Sequence, residues 1–284
     1  MYKPADLPLN QRGAVYHLDL LPEELADTVI TVGDPSRVQL VSQRFDRVEI
    51  TRMHREFVTH TGYLGEKRIT VLSTGIGVPN IDIVINELDA LANIDLKTRT
   101  PRNQHKTLTI IRLGTTGGLD HACVPGDVYI SRYAIGFGTL LNYYQHQPSA
   151  TLKQLHANLQ IHLESRCGLF YLAEADADLF EQFVTLGAPS ITATCNGFYG
   201  PQGRRLRIPL AYPDLLDKLV SFEFEGYKVL NFEMETAGIL GLGRLFGHRC
   251  LSLSVVLANR MTGEFSEQVN EKVVGLIDKA LPLL

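Results

Sequence analysis

Cysteine is sparse in this 284-residue chain: Cys123, Cys167, Cys195 and Cys250 stand far apart, with no C-x-x-C pair among them. That spacing indicates neither a zinc site nor a disulfide framework, and the thiols read as buried groups. Long apolar runs are missing too, since nothing approaches the roughly 18 consecutive apolar residues of a membrane-crossing helix. The first ten residues lack the basic start and apolar stretch of a secretory leader, so a cytoplasmic protein without membrane contact is expected. Positive charge is not in excess: 27 Lys and Arg face 31 Asp and Glu, a net charge of −4 with His neutral. Nucleic-acid affinity comes mostly from clustered cations facing phosphates, so no nucleic-acid partner is expected and a small ligand is favoured. The one basic stretch, residues 97–106 (KTRTPRNQHK), reads as an exposed loop. No composition shift or low-complexity segment marks a linker, which leaves one α/β domain over residues 1–284.

What the chain does have is a series of apolar β-runs that open into turns rich in glycine and hydroxyls. Residues 27–32 (DTVITV) form such a run and end at Gly33-Asp34-Pro35-Ser36-Arg37, where Pro35 suits a first helical position. Residues 68–73 lead into Thr74-Gly75-Ile76-Gly77-Val78-Pro79-Asn80 and a helix over 81–92. Residues 107–113 run into Gly114-Thr115-Thr116-Gly117-Gly118, with Arg112 at the strand end. Arginine, hydroxyls and bare amides suit an oxyanion pocket at the carboxyl end of a strand, or equally a structural Gly-rich turn with Arg112 in an internal ion pair. Further strands are expected over 46–51, 128–135, 190–195, 229–232 and 251–258, and helices over 38–44, 152–165, 236–246 and 267–281. The alternation predicts a central mixed twisted β-sheet flanked by helices. After residues 190–195 comes Phe198-Tyr199-Gly200-Pro201-Gln202-Gly203-Arg204. A flat heterocycle could stack on Phe198 while Gln202 and Arg204 bond its edge, although a loop with solvated arginines explains the same residues. Glu233-Met234-Glu235 could hold a polyol through its carboxylates, or simply favour a helix start.

Taken together, these segments resemble the nucleoside phosphorylase superfamily of the trimeric and hexameric type, and its uridine phosphorylase branch most closely. Six motifs carry the likeness, in family order: Gly33 to Arg37, His54 to Phe57, Ser73 to Asn80, Arg112 to Gly117, Phe198 to Arg204 and Glu233 to Thr236. The resemblance implies phosphate held by Gly33, Arg37, Arg112 and Thr115, with Arg55 reaching into a neighbouring subunit's site. It implies ribose contacts from Met234 and Glu235, helped by Glu233 and by His17 from across a dimer interface. Base contacts would come from Thr116, Gly117, Phe198, Gln202 and Arg204, and the catalytic roles fall to Arg112, Arg204 and Glu235. Inorganic phosphate is then the co-substrate and no organic cofactor is required; a monovalent cation, K+, has candidate ligands in Glu56, Ile76 and Asn80.

The implied reaction is reversible phosphorolysis of uridine, or of deoxyuridine or thymidine, to uracil or thymine and a pentose 1-phosphate. Purine phosphorylases of the superfamily carry an aspartate after the last long strand; the corresponding run here, Leu257-Ala258-Asn259-Arg260-Met261, has none. Purine nucleoside phosphorolysis remains the alternative enzyme reading, and an inactive nucleoside-binding protein the alternative outside enzymes. Two departures from the family bear on the base pocket and its surroundings: the longer 97–106 loop, and Gly200-Pro201 in inverted order. The resemblance makes a homodimer the minimal active unit and leaves a hexamer open.

Overall fold

The computed structural model describes residues 1–164 and 168–284. Cys167 and the end of the expected 152–165 helix, Ser165, lie outside the described residues. The chain folds as two compact units, one of Met1–Arg112 with Phe246–Arg249, the other of Leu113–Leu245 with Cys250–Leu284.

The first unit is built on β1 (Thr28–Val32), α1 (Pro35–Ser42), β2 (Arg47–His54), β3 (Phe57–Leu64), β4 (Lys67–Ser73) and α2 (Val78–Asn93). The short pair β5 (Ile94–Asp95) and β6 (Thr100–Pro101) and the start of β7 (Thr109–Gly118) complete it. Every residue of β1 is buried, as expected of a strand paired on both edges, and its partners β4 and β7 are both parallel to it. β2, β3 and β4 follow as an antiparallel meander. Helix α1 begins where Asp34 accepts from the Ser36 N–H at 2.8 Å and Pro35 needs no donor. Helix α2 buries Ile81, Val84, Ile85, Leu88 and Leu91, a stripe at three- and four-residue spacing. The basic 97–106 loop is largely exposed, with β6 inside it.

The second unit takes up the end of β7 and continues with β8 (Val128–Phe137), α3 (Ala150–His162), β9 (Phe170–Glu174), α4 (Ala177–Phe183) and β10 (Ala188–Cys195). Then come α5 (Leu215–Val220), β11 (Glu223–Phe224), β12 (Tyr227–Glu233), α6 (Thr236–Leu245), β13 (Arg249–Asn259) and α7 (Val269–Ala280). β10 lies parallel between β8 and β12, while β8 pairs antiparallel with β9 at one end and β13 at the other. Leu152, Leu155 and Leu159 of α3 pack with Ile135, Ile191, Ala193 and Phe232 from the strands. The expected mixed α/β sheet with flanking helices is therefore what the chain forms.

Two sequence expectations need correction. Gly114 to Gly118 is not a turn: β7 runs through all five residues, and Gly117 and Gly118 pair antiparallel with Phe232 and Asn231 of β12. The glycines serve packing there, since a Cβ on Gly118 would lie 2.3 Å from the Cys123 sulfur. β2 is longer than the expected 46–51 and reaches His54, because β3 pairs with it to the hairpin end. β9 and α5 lie where the sequence pattern assigns no element, and there Leu172, Leu215 and Leu219 are buried in the core beside the sheet.

Candidate active site

In the first unit, the candidate anion-binding residues sit at strand ends and in tight turns. Gly33 directly follows β1, and Arg37 lies in the first turns of α1. The Asp34 carboxyl is held below its usual range: burial opposes ionisation, but the Ser36 N–H and hydroxyl and the Arg37 charge outweigh it. Arg55 occupies the tip of the β2–β3 hairpin with φ of +54°, exposed to solvent. That left-handed conformation is unusual for a non-glycine residue and arises from the tight turn between paired His54 and Phe57. Arg112 is 4% exposed in β7, opposite Thr31 of β1, and carries interactions within the fold.

The glycine-bearing turn after β4 is sterically required. A Cβ at Gly75, where φ is +68°, would fall 2.4 Å from Asn80 Nδ2 and 2.9 Å from Glu56 Cγ. Asn80 Nδ2 donates to Glu56 Oε1 at 3.1 Å, and the Ile76 side chain is exposed beside them. His17 sits before β1 and is fixed by Glu87 of α2: its N–H donates to both carboxylate oxygens, at 3.0 and 3.1 Å. Its Nδ1 lies 2.6 Å from Glu87 Oε1, and because a carboxylate accepts only, Nδ1 carries a proton and donates to Glu87. His54 in turn donates from Nδ1 to the His17 carbonyl at 3.0 Å.

In the second unit, the aromatic loop and the Glu-Met-Glu segment form two polar clusters. Gln202 is 2% exposed on a short helical turn, Gly200–Gln202, and its Oε1 accepts from Arg204 Nη1 at 2.5 Å. The same nitrogen donates to the Phe198 carbonyl at 2.6 Å, while the guanidinium carbon lies 3.7 Å above the Phe198 ring. Phe198 is half exposed, so the loop presents one aromatic face already covered by a cation. A cavity of about 630 Å³ adjoins it, lined by Tyr199, Pro201, Arg204, Leu206, Ile208 and Tyr212.

Arg260, in the run 257–261 that carries no aspartate, belongs to this cluster. Its Nη1 donates to the Gln202 carbonyl at 3.0 Å, and its stem lies over Gly117, where a Cβ would meet Cγ at 3.1 Å. Burial and the neighbouring Arg260 charge draw Arg204 down to about 10, and burial lowers Arg260 as well. Two guanidiniums held this close are ready to receive negative charge. The signal in sequence was Asn259-Arg260 following a long apolar strand; nothing local told it apart from a solvated arginine.

Thr116 is turned inward. Its hydroxyl donates to the Phe232 carbonyl at 2.5 Å and accepts from Asn231 Nδ2 at 3.1 Å. Thr115, its neighbour on β7, is half-buried on the opposite face. Glu233 closes β12 at 4% exposure, and Glu235 is buried just before α6 with Met234 half-buried between them. One Glu233 oxygen accepts from the Glu235 and Thr236 N–H groups, both at 2.8 Å; the other accepts from the Thr194 hydroxyl at 2.5 Å. Glu233 thus caps α6, where the helix dipole favours a carboxylate.

Among the described residues, Asp89, His105 and His248 have potential ligand atoms within 4.8 Å of one another. His248 Nδ1 accepts from the Leu108 N–H at 3.2 Å, which puts that ring's proton on Nε2, the atom 3.4 Å from Asp89. In that tautomer the lone pair a metal needs is absent.

The chain matches the family model of the Phosphorylase superfamily over residues 27–281. A uridine phosphorylase of Thermococcus kodakarensis is 31% identical over 281 residues, covering 99% of this chain and 90% of the relative. A DeoD-type purine nucleoside phosphorylase of Listeria welshimeri is 28% identical over 250 residues, 87% of this chain and 88% of the relative. Among solved structures, a Trypanosoma brucei nucleoside phosphorylase shown to have uridine phosphorylase activity superposes with a TM-score of 0.87 at 28% identity, covering 98% of this chain and all of that one. The strand ends, the glycine-bearing turns and the Glu-Met-Glu segment therefore sit in a known frame: the chain belongs to the phosphorylase superfamily.

Proposed function

We propose that this chain is a uridine phosphorylase, a pentosyltransferase that cleaves uridine reversibly with inorganic phosphate to uracil and ribose 1-phosphate. The carrying observation is the buried Gln202 amide locked to Arg204, with Arg260 on the Gln202 carbonyl and no carboxylate in the run 257–261. An amide offers a donor and an acceptor to a pyrimidine edge, and guanidiniums favour a base that leaves as an anion. A purine leaving group is best served by an acid that protonates its ring, and this loop supplies none.

Phosphate is assigned to Gly33, Arg37, Arg112 and Thr115, and to Arg55 from a neighbouring subunit. Ribose is assigned to Met234 and Glu235 with Glu233 behind them, and to His17 from across the interface, its ring fixed through Nδ1 by Glu87. The base is assigned to Phe198, Gln202 and Arg204, with Thr116 and Gly117 lining the site through their backbone. Arginines orient phosphate toward the anomeric carbon in near-attack geometry. As the glycosidic bond stretches, positive charge on the sugar is offset by phosphate and by Glu235, while Arg204 receives the charge passing into the base.

No organic cofactor is needed for these steps. Glu56, the Asn80 amide oxygen and the Ile76 carbonyl are oxygen donors of the type K+ takes, although Asn80 Nδ2 already donates to one Glu56 oxygen, so the cation is an optional ligand. A homodimer is the minimal active unit in this reading, the whole chain is one catalytic domain, and its place is the cytoplasm, where the free buried thiols Cys123, Cys195 and Cys250 persist.

The deciding experiment measures free base released from uridine, thymidine and inosine, each with and without phosphate. Phosphate-dependent release of uracil supports the proposal. Hypoxanthine release in its place would overturn the base assignment, and equal release without phosphate would make the protein a hydrolase.

A further inference from the structure

Thr194 has no assigned role, yet it is fully buried and touches the best-placed carboxylate in the second unit. It lies on β10 directly opposite Glu233 of the parallel strand β12. Its Oγ1 is 2.5 Å from Glu233 Oε1 and 2.9 Å from the Ala237 backbone nitrogen. The chemistry of those two partners fixes the direction of both bonds. An ionised carboxylate can only accept and a backbone N–H can only donate, so the hydroxyl gives its single proton to Glu233 and takes the Ala237 hydrogen bond on oxygen.

Ala237 is in the first turn of α6, where backbone N–H groups have no partner within the helix. The other Glu233 oxygen accepts from Glu235 and Thr236. Three successive donors at the start of α6 are thereby tied, directly or through one hydroxyl, to a single carboxylate. The turn that carries Met234 and Glu235 is spanned by these bonds on both sides.

We infer that Thr194 is a positioning residue for ribose recognition: it orients Glu233, and through Glu233 and Ala237 it sets the direction in which Glu235 and Met234 meet the sugar. This rests on the phosphorylase reading above. It divides the labour of the two glutamates. Glu233 is committed to holding the turn, and Glu235 is the carboxylate that addresses the ribose hydroxyls.

Two variants separate this role from bulk packing. Thr194→Val keeps the shape and removes the hydroxyl that accepts from the Ala237 N–H and donates to Glu233 Oε1. Thr194→Ser keeps the hydroxyl and removes a methyl group. The expected result is a fall of about tenfold or more in kcat/KM for uridine in Thr194→Val with the phosphate KM unchanged, and recovery to within about threefold in Thr194→Ser. Loss of affinity for both substrates alike would mark general loosening and overturn the inference, as would unchanged kinetics in Thr194→Val.

Amide hydrogen exchange at Glu235, Thr236 and Ala237 gives an arm that needs no turnover. Exchange should accelerate in Thr194→Val and stay slow in Thr194→Ser; equal protection in both variants would sink the latch. If the unaltered protein cleaves no nucleoside with phosphate, the functional reading fails while the exchange experiment still decides whether the latch exists.

Discussion

Arg204 concentrates the chemistry of the proposed base pocket in one side chain. It bonds Gln202 and the Phe198 carbonyl, lies over the Phe198 ring and faces the Arg260 charge. Its folded value, drawn down to about 10, means that the cationic form is disfavoured by folding at all lower pH, and that this cost fades as pH rises through about 10 toward the free value. The charge is therefore kept at neutral pH against the stability of the fold. Arg204→Gln is expected to lower kcat for uridine by about a hundredfold, the scale of losing one donor to developing negative charge. The phosphate KM should hold, and Tm at neutral pH should not fall. Steady-state kinetics with a melting curve check this, and a variant in which only the phosphate KM moved would refute the assignment.

At the scale of elements, helix α6 shows how tightly the second unit is closed. Eight of its residues, Thr236 to Gly243, are buried, so no solvated face remains to absorb a larger side chain. A Cβ on Gly243 would stand 2.1 Å from the Cys250 sulfur, and one on Gly241 2.7 Å from Leu141 Cδ1. Glycine costs helix propensity and is kept because contact with β13 and the 140–143 turn leaves no room. Gly243→Val is expected to destabilise the protein by about 1–3 kcal/mol or more, the range for overpacked cores. Urea denaturation monitored by circular dichroism would read this as a lower midpoint with an unchanged slope. Wild-type stability in that variant would mean that the helix shifts freely, contrary to its full burial.

At the scale of the molecule, the proposed reach of Arg55 into a neighbour's site has the widest consequence, because under that proposal each active site is a joint product of two subunits. Arg55 is exposed at its hairpin tip, where a second copy could meet it. Complementation tests this directly. Arg55→Ala and Arg204→Ala are each expected to be nearly inactive alone. Mixed and reassociated one to one, they should regain about a quarter of the wild-type activity, since half of the dimers are then mixed and one of their two sites is intact. Two inactive parents that stay inactive after exchange would place Arg55 and Arg204 in the same protomer's site or outside it.

Much of this was legible in the sequence. The β-runs over 27–32, 68–73, 128–135 and 190–195 and the helix over 81–92 were readable because buried strands and amphipathic helices write their environment into local pattern. The residue types of the candidate site, arginines at strand ends and carboxylates before α6, were readable for the same reason. What only the tertiary structure decided was which groups are already engaged. Gly114 to Gly118 looked like a turn, but pairing with β12, more than a hundred residues away, makes it a strand. Glu233 could be read as a polyol ligand or as a helix-start carboxylate, and in the fold its oxygens cap α6 and accept from Thr194. Arg260 looked incidental, and folding brings it to the Gln202 carbonyl. Local sequence determines propensity and charge, whereas hydrogen-bond partners and close packing are set by residues distant along the chain, and those partners decide what each group has left to offer a substrate.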